Sequence, residues 1–192
     1  MKTTRRIFSM VLALMMVLSL SVTAFADTTA TVNVVIHSRT GENVTKQFAI
    51  NTTGSLYDNL KTSKEVTTSW HQVSDWEDPE VKHYVMDDLD GYGTIVFNHE
   101  DETDIANLAA KNYDASKLNW IESMPGYVDL GYNAETGLYK YMYVGYAWVY
   151  SSNAVAGEIE DYMCCYNPQA GETITLTYDL QISIWESEYS MT

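Results

Sequence analysis

Two adjacent cysteines, Cys164 and Cys165, are the most reactive pair of side chains in this chain of 192 residues. Neighbouring Cα atoms lie only about 3.8 Å apart, closer than a disulfide usually requires, so a bridge between these two residues would be strained. Two free thiols are favoured, with a vicinal disulfide or pairing between chains as the alternatives. No histidine neighbours the pair in sequence. A thiol enzyme therefore predicts one of these cysteines in a cleft beside a histidine that the fold supplies.

The histidines and the acidic residues match no common metal motif. Four histidines are widely spaced along the chain: His37, His71, His83 and His99. Without a His-Glu-x-x-His or Cys-x-x-Cys pattern, zinc is not expected. The candidate calcium ligands are Asp87, Asp88 and Asp90. An EF-hand alignment of this stretch puts Met86 and Phe97 where carboxylates are required. The sequence therefore favours a solvated turn and no metal site.

Catalytic motifs are also missing from the sequence. There is no Gly-x-Ser-x-Gly elbow, no Walker loop and no dinucleotide-binding fingerprint. A Ser-His-Asp or Cys-His site assembled by the fold stays open as an alternative. We therefore expect a protein that is not an enzyme and carries no cofactor.

Two long segments with the pattern of β-strands must form the core. In Thr173–Trp185 apolar and polar residues alternate, which predicts a strand with one apolar face. Leu138–Tyr150 is apolar or aromatic on both faces, which indicates a central strand or one lined by a binding surface. One face of this aromatic strand carries Tyr139, Tyr141 and Tyr143. The other face carries Met142, Val144, Tyr146, Trp148 and Tyr150.

The mature chain is expected to open with a hairpin and a helix. Thr31–His37 and Lys46–Ile50 have strand patterns separated by a turn, and Ser55 has the position of a helix N-cap. Between residues 62 and 120 the pattern loosens, although residues 100–112 have the charge distribution of a helix. We interpret residues 62–120 as an insertion into a core made of residues 31–61 and 121–186.

Residues 1–26 have the pattern of a secretory signal peptide. Basic residues precede a short apolar run, and Ala24-Phe25-Ala26 matches a cleavage site. The run is shorter than the roughly 20 residues that a membrane span needs. We expect a secreted chain of residues 27–192, one domain that is not inserted in a membrane. Cleavage removes three of the 11 basic residues and none of the 26 acidic ones, leaving a net charge of −18. Nucleic acid is therefore not expected as a partner.

Several short motifs resemble those of the bacterial transcobalamin-like C-terminal domain family. The motifs are Gly54–Leu60, Gly126-Tyr127, Trp148–Asn153, Tyr166 and Gly171-Glu172. The chain departs from the family pattern at Ala154, where a glycine is usual, and at Glu172, where an aspartate is usual. The resemblance implies an α+β fold of β-grasp type, a mixed sheet with one main helix. It also implies a corrinoid such as cobalamin as one conceivable ligand.

Together these patterns predict a secreted, non-catalytic binding domain. A binder of a small molecule or glycan predicts a pocket lined by Tyr146, Trp148 and Tyr150, with Asn153 in the adjoining loop. The alternative is a module that binds a surface protein. That module predicts a flat exposed patch of Tyr139, Tyr141 and Tyr143, without a pocket.

Overall fold

The structure is a computed structural model that describes residues 28–75, 77–157, 159 and 161–191. The predicted signal peptide and its cleavage site lie outside the described residues. Within the described ranges, no helix has the length and apolar character needed to cross a bilayer.

The described chain forms nine strands and two α-helices. In chain order they are β1 (Thr29–His37), β2 (Asn43–Asn51), α1 (Leu56–Thr62), β3 (Thr68–Ser74), β4 (Lys82–Leu89), β5 (Tyr92–Gly93), β6 (Ile95–Val96), α2 (Glu102–Ala110), β7 (Tyr127–Asn133), β8 (Leu138–Ser152) and β9 (Thr173–Ser187). The α+β class is confirmed. The structure has two short helices, of 7 and 9 residues. Helix α1 follows the predicted N-cap, and α2 lies within residues 100–112, where the charge distribution predicts a helix.

Six strands form the main sheet, in the order β2-β1-β9-β8, and both β6 and β7 pair with the remaining edge of β8. The central pair, β1 and β9, is parallel, and the other pairs are antiparallel. In this register Trp148 of β8 lies opposite Tyr178 of β9. Strands β3, β4 and β5 form a separate antiparallel sheet.

The core lies between one face of the main sheet and a layer made of α1, α2 and the smaller sheet. Alternate residues of β1 and of the first half of β9 are buried, as the sequence pattern predicts for strands with one apolar face. Strand β8 buries residues on both faces, Tyr141 on one and Met142 and Val144 on the other, as its pattern indicates for a central strand. Helix α1 contributes Leu56, Tyr57 and Leu60 to the same core. Residues 62–120, expected as an insertion, contribute buried side chains to this core and β6 to the main sheet.

Helix α1 begins at the residue that the sequence indicates. The Ser55 hydroxyl accepts a hydrogen bond from the Asp58 backbone N–H at 3.1 Å, and Asp58 Oδ2 accepts one from the Ser55 N–H at 3.2 Å. This capping box satisfies two backbone donors that a helix N-terminus leaves unpaired. The predicted hairpin of β1 and β2 is also confirmed.

Gly126, just before β7, is required by both its backbone conformation and its surroundings. Its φ is +81°, and a Cβ at this position would lie 2.7 Å from the Val144 carbonyl oxygen. We expect Gly126→Ala to lower the free energy of unfolding by more than the strain of a left-handed residue alone, about 1–2 kcal/mol. The control is Gly131→Ala, where φ is +95° and nothing lies within 4 Å. If urea unfolding gives the same loss of unfolding free energy for both variants, the contact with the Val144 carbonyl oxygen does not add to the cost of the Gly126 substitution.

Candidate functional site

The fold brings His83 and both cysteines together, although they are far apart in sequence. His83 lies near the start of β4 and is 8% exposed. Its Nδ1 is 3.6 Å from Cys164 Sγ and 3.5 Å from Cys165 Sγ, and the two sulfurs are 3.9 Å apart. Of the residues described, these three form the one group of histidine, cysteine or acidic ligand atoms close enough to share a metal ion.

The β3–β4 hairpin orients the His83 ring. Asp75 follows β3, and its Oδ2 lies 2.9 Å from His83 Nε2. The other oxygen of Asp75 accepts hydrogen bonds from the backbone N–H groups of Glu77 and Asp78. The carboxylate is therefore held in place by its own loop. The hydrogen bond with His83 is the main cause that lowers the pKa of Asp75, followed by those from Asp78 and Glu77.

A turn anchored to α1 positions the two cysteines. The Cys165 N–H donates to the Tyr162 carbonyl oxygen at 2.8 Å. The Tyr57 N–H of α1 donates to the Met163 carbonyl oxygen at 3.0 Å, which ties this turn to the start of the helix. The Tyr162 ring stacks on His83 with centroids 4.2 Å apart and planes 5° from parallel. Both sides of the cluster are thus attached to regular secondary structure.

This cluster, Asp75–His83–Cys164–Cys165, has three chemical possibilities. Asp75, His83 and a cysteine are arranged like the carboxylate, imidazole base and thiol nucleophile of a thiol enzyme. The two thiols can also be oxidised. Finally, the thiols and the imidazole are ligands for a metal ion. Desolvation, followed by the hydrogen bond with Cys164, raises the pKa of the Cys165 thiol. A nucleophilic cysteine normally has a lowered pKa. Burial therefore disfavours the Cys165 thiol as a nucleophile.

Next to the cluster is an apolar cleft of about 380 Å³ between β4, β8 and the loop that follows β8. Its lining residues are Tyr84, Val85, Met86, Trp148, Val149, Tyr150, Ile159, Asp161, Tyr162 and Met163. The Tyr150 hydroxyl donates to the Asp161 carbonyl oxygen at 2.8 Å, which holds the loop against the strand. The cleft and the cluster share a wall, because Tyr162 lines the cleft and stacks on His83.

The four residues predicted to form a ligand pocket do not all lie at one site in the structure. Trp148 and Tyr150 line the cleft. Tyr146 is buried elsewhere, where its hydroxyl bonds to Asp104 at 3.1 Å and to Asn107 at 2.6 Å. Asn153 supports the turn before β9 rather than the cleft, since its Oδ1 accepts from the Thr173 N–H at 2.9 Å.

The remaining three tyrosines lie on the outer face of β8, away from the cleft. Tyr139 and Tyr143 are half-buried, but Tyr141 is fully buried. The chain after β9 covers Tyr141, because the Met191 N–H donates to the Tyr141 hydroxyl at 2.7 Å. The structure therefore does not present the three rings as one exposed row.

The three candidate calcium ligands have separate partners. Asp87 lies 2.5 Å from His71 Nδ1, and Asp88 accepts a hydrogen bond from the Gly91 N–H at 2.9 Å. Asp90 bonds to the Thr67 N–H at 2.8 Å and to Lys46 at 3.1 Å. In the described part of the chain, these three aspartates do not form a group of converging ligand atoms.

From the sequence, a histidine beside a cysteine was required only for a thiol enzyme, and the structure places His83 there. The sequence did not indicate which histidine, because His83 and Cys164 are 81 residues apart and form no local motif. The only signal in sequence was the cysteine pair itself. Comparisons of this chain with protein-family models, with curated proteins and with solved structures found no match.

Proposed function

We propose that this protein is exported and binds a small molecule, without catalysis, in the cleft between β4 and β8. The observation that carries this proposal is the position of Trp148 and Tyr150, which face the cleft together with the loop after the aromatic strand. Ligand sites are concave, mainly apolar and equipped with a few polar groups. This cleft is likewise lined mainly by apolar residues, and Asp161 is the charged residue in its lining.

The chemistry of the walls suggests the kind of ligand. Met86, Ile159 and Met163 offer flexible apolar contacts, and thioethers adapt to ligands of irregular shape. Two of the aromatic groups have limited freedom to stack on a sugar, because Tyr84 already stacks on Tyr57 at 4.3 Å and the Trp148 N–H donates to the Tyr92 carbonyl oxygen. A ligand with an apolar ring and a hydroxyl or amine for Asp161 fits these walls better than a glycan.

The size of the cleft also bears on the ligand. A volume of about 380 Å³ is near the lower end of the range of roughly 300–1,000 Å³ for ligand pockets. A corrinoid, which is a large macrocycle, is therefore the less supported of the candidate ligands, and a small ring compound is the more supported.

The topology supports a β-grasp assignment within the α+β class. The hairpin of β1 and β2, helix α1 and the parallel pairing of β1 with β9 place the first and last strands at the centre of the sheet. We propose that residues 31–61 and 121–186 form this β-grasp core and that the transcobalamin-like resemblance reflects it.

Native mass spectrometry of the protein purified from the cells that make it tests this function. We expect extra mass that is lost on unfolding and a chain that begins after Ala26. Ile159→Arg places bulk and charge in the cleft and should remove the extra mass. Val155→Arg is the matched control, because Val155 is 45% exposed in the same loop and does not line the cleft. No bound mass in the wild type, or equal mass in both variants, would reject cleft binding.

A second candidate is an interaction surface for another protein outside the cell, supported by the outer face of the sheet. Its aromatic residues are Tyr127, Tyr132, Tyr139, Tyr143 and Trp185. Tyr132 is 58% exposed and lies 5.0 Å from Tyr139, between ring centroids. In the same spectra this candidate predicts a protein adduct or a multiple of the chain mass, lost in Tyr132→Ser.

A further inference from the structure

We infer that Cys164, Cys165 and His83 form a binding site for one Zn²⁺ ion. Two thiolates and an imidazole are ligands that zinc prefers in proteins. The three ligand atoms, the two Sγ atoms and His83 Nδ1, all lie within 4.8 Å of one another. This site is distinct from the cleft and does not depend on the function proposed for it.

The distances between the ligand atoms match those around a zinc ion. Zn–S bonds of about 2.3 Å and a Zn–N bond of about 2.0 Å in tetrahedral geometry separate two sulfurs by about 3.8 Å and a sulfur from the nitrogen by about 3.5 Å. The corresponding distances are 3.9 Å between the sulfurs, and 3.6 and 3.5 Å from Nδ1 to Cys164 and Cys165. An ion can therefore occupy the space between the three atoms with little movement of the side chains.

The surroundings of His83 are those of a histidine that binds a metal. Such a histidine usually donates its other ring N–H to a carboxylate, which fixes the tautomer and the ring orientation. Asp75 Oδ2 lies 2.9 Å from His83 Nε2, so Nδ1 is left to face the sulfurs. Tyr162 stacks on the ring and restrains it further. Asp75 is therefore a positioning residue and the other three are ligands.

The coordination is incomplete with protein ligands alone. Three protein ligands leave a fourth position on a tetrahedral ion for water or for another ligand. Cys165 is exposed and Cys164 is half-buried, so an ion can reach the site from solvent. The strongly negative chain also favours the approach of cations.

The redox state of the cysteines decides whether the site exists. The 3.9 Å between the sulfurs is far longer than a disulfide bond of about 2.05 Å. The reduced pair is therefore the form that matches zinc. Oxidation to a vicinal disulfide would remove both thiolate ligands and with them the site.

Titration of the purified, reduced, metal-free protein with Co²⁺ and then Zn²⁺ tests the inference. We expect one Co²⁺ per chain with a thiolate-to-cobalt charge-transfer band and the visible spectrum of tetrahedral coordination, both abolished by one equivalent of Zn²⁺. Cys164→Ser, Cys165→Ser and His83→Gln should each lose this spectrum. Asp75→Asn should keep the thiolate band and weaken Zn²⁺ binding by about 10- to 100-fold.

His71→Gln is the matched control. His71 lies on the same hairpin and also faces a carboxylate, with Asp87 at 2.5 Å, but it is not part of the group of ligand atoms around the cysteines. This variant should bind both ions like the wild type. A wild-type protein with no thiolate–cobalt band overturns the inference without reference to any variant. Zinc binding that survives both serine substitutions, or Cu⁺ binding without Zn²⁺ binding, also overturns it.

Discussion

Asp104→Ala is expected to lower the free energy of unfolding by about 3–5 kcal/mol. It leaves the Tyr146 hydroxyl and the Asn98 N–H without their acceptor, at about 1–3 kcal/mol for each unsatisfied group, and it removes one of the two carboxylates paired with Arg39. Asp104 is fully buried in α2, and its two oxygens accept hydrogen bonds from the Arg39 guanidinium at 2.6 and 3.0 Å. The same carboxylate accepts from the Asn98 N–H at 2.8 Å and the Tyr146 hydroxyl at 3.1 Å. These contacts join α2 to the first hairpin and to β8. Urea unfolding followed by tryptophan fluorescence measures the loss.

Asp101→Ala is the control for this substitution. Asp101 also contacts Arg39, at 2.8 Å, but its side chain is 34% exposed. It caps α2 by accepting from the N–H groups of Thr103 and Asp104. Loss of an N-cap costs about 1 kcal/mol, and the exposed ion pair adds little. Similar losses for Asp101→Ala and Asp104→Ala would show that burial of the charge is not what makes Asp104 important.

The sequence predicts most of the main sheet because β9 alternates between apolar and polar residues and β8 is apolar or aromatic on both faces. Thr173–Trp185 and Leu138–Tyr150 correspond to β9 and β8 within two residues at each end. Alternation also assigns the tyrosines of β8 to the correct two faces. It does not show which face is covered, because that depends on distant segments such as the chain around Met191 that buries Tyr141.

The sequence does not predict strand β4, because its hydrophobic pattern is not that of a regular strand. In Lys82–Leu89 the buried residues are His83, Met86 and Leu89, which recur every third position rather than every second. The stretch is also acidic, and β-strands are poor in aspartate. A register shift in the partner strand between Ser69 and Trp70 accommodates the irregular spacing. Because β4 carries His83, missing this strand meant missing the candidate metal site as well.

Raising the pH above about 10 is expected to destabilise the protein steeply, because three tyrosines in the core keep their protons only while the chain is folded. Burial is the main cause that raises the pKa of Tyr146 and of Tyr178 to about 12, and it also raises the pKa of Tyr150. In the unfolded chain each phenol loses its proton near pH 10. Above that pH the folded state binds more protons than the unfolded state, so the free energy of unfolding falls as pH rises.

Each phenol contributes at most about 1.4 kcal/mol per pH unit, so the slope for the three together approaches about 4 kcal/mol per pH unit at about pH 11 and is smaller at about pH 10 and about pH 12. Urea unfolding at a series of pH values measures this slope. Tyr178→Phe should reduce it by about a third, at the cost of the hydrogen bond from the Tyr178 hydroxyl to the Gly93 carbonyl oxygen at 2.5 Å. Tyr189→Phe, at a residue 78% exposed, should leave the slope unchanged because its ring is in water in both states. If Tyr178→Phe also leaves the slope unchanged, burial of the Tyr178 hydroxyl is not a cause of the alkaline destabilisation.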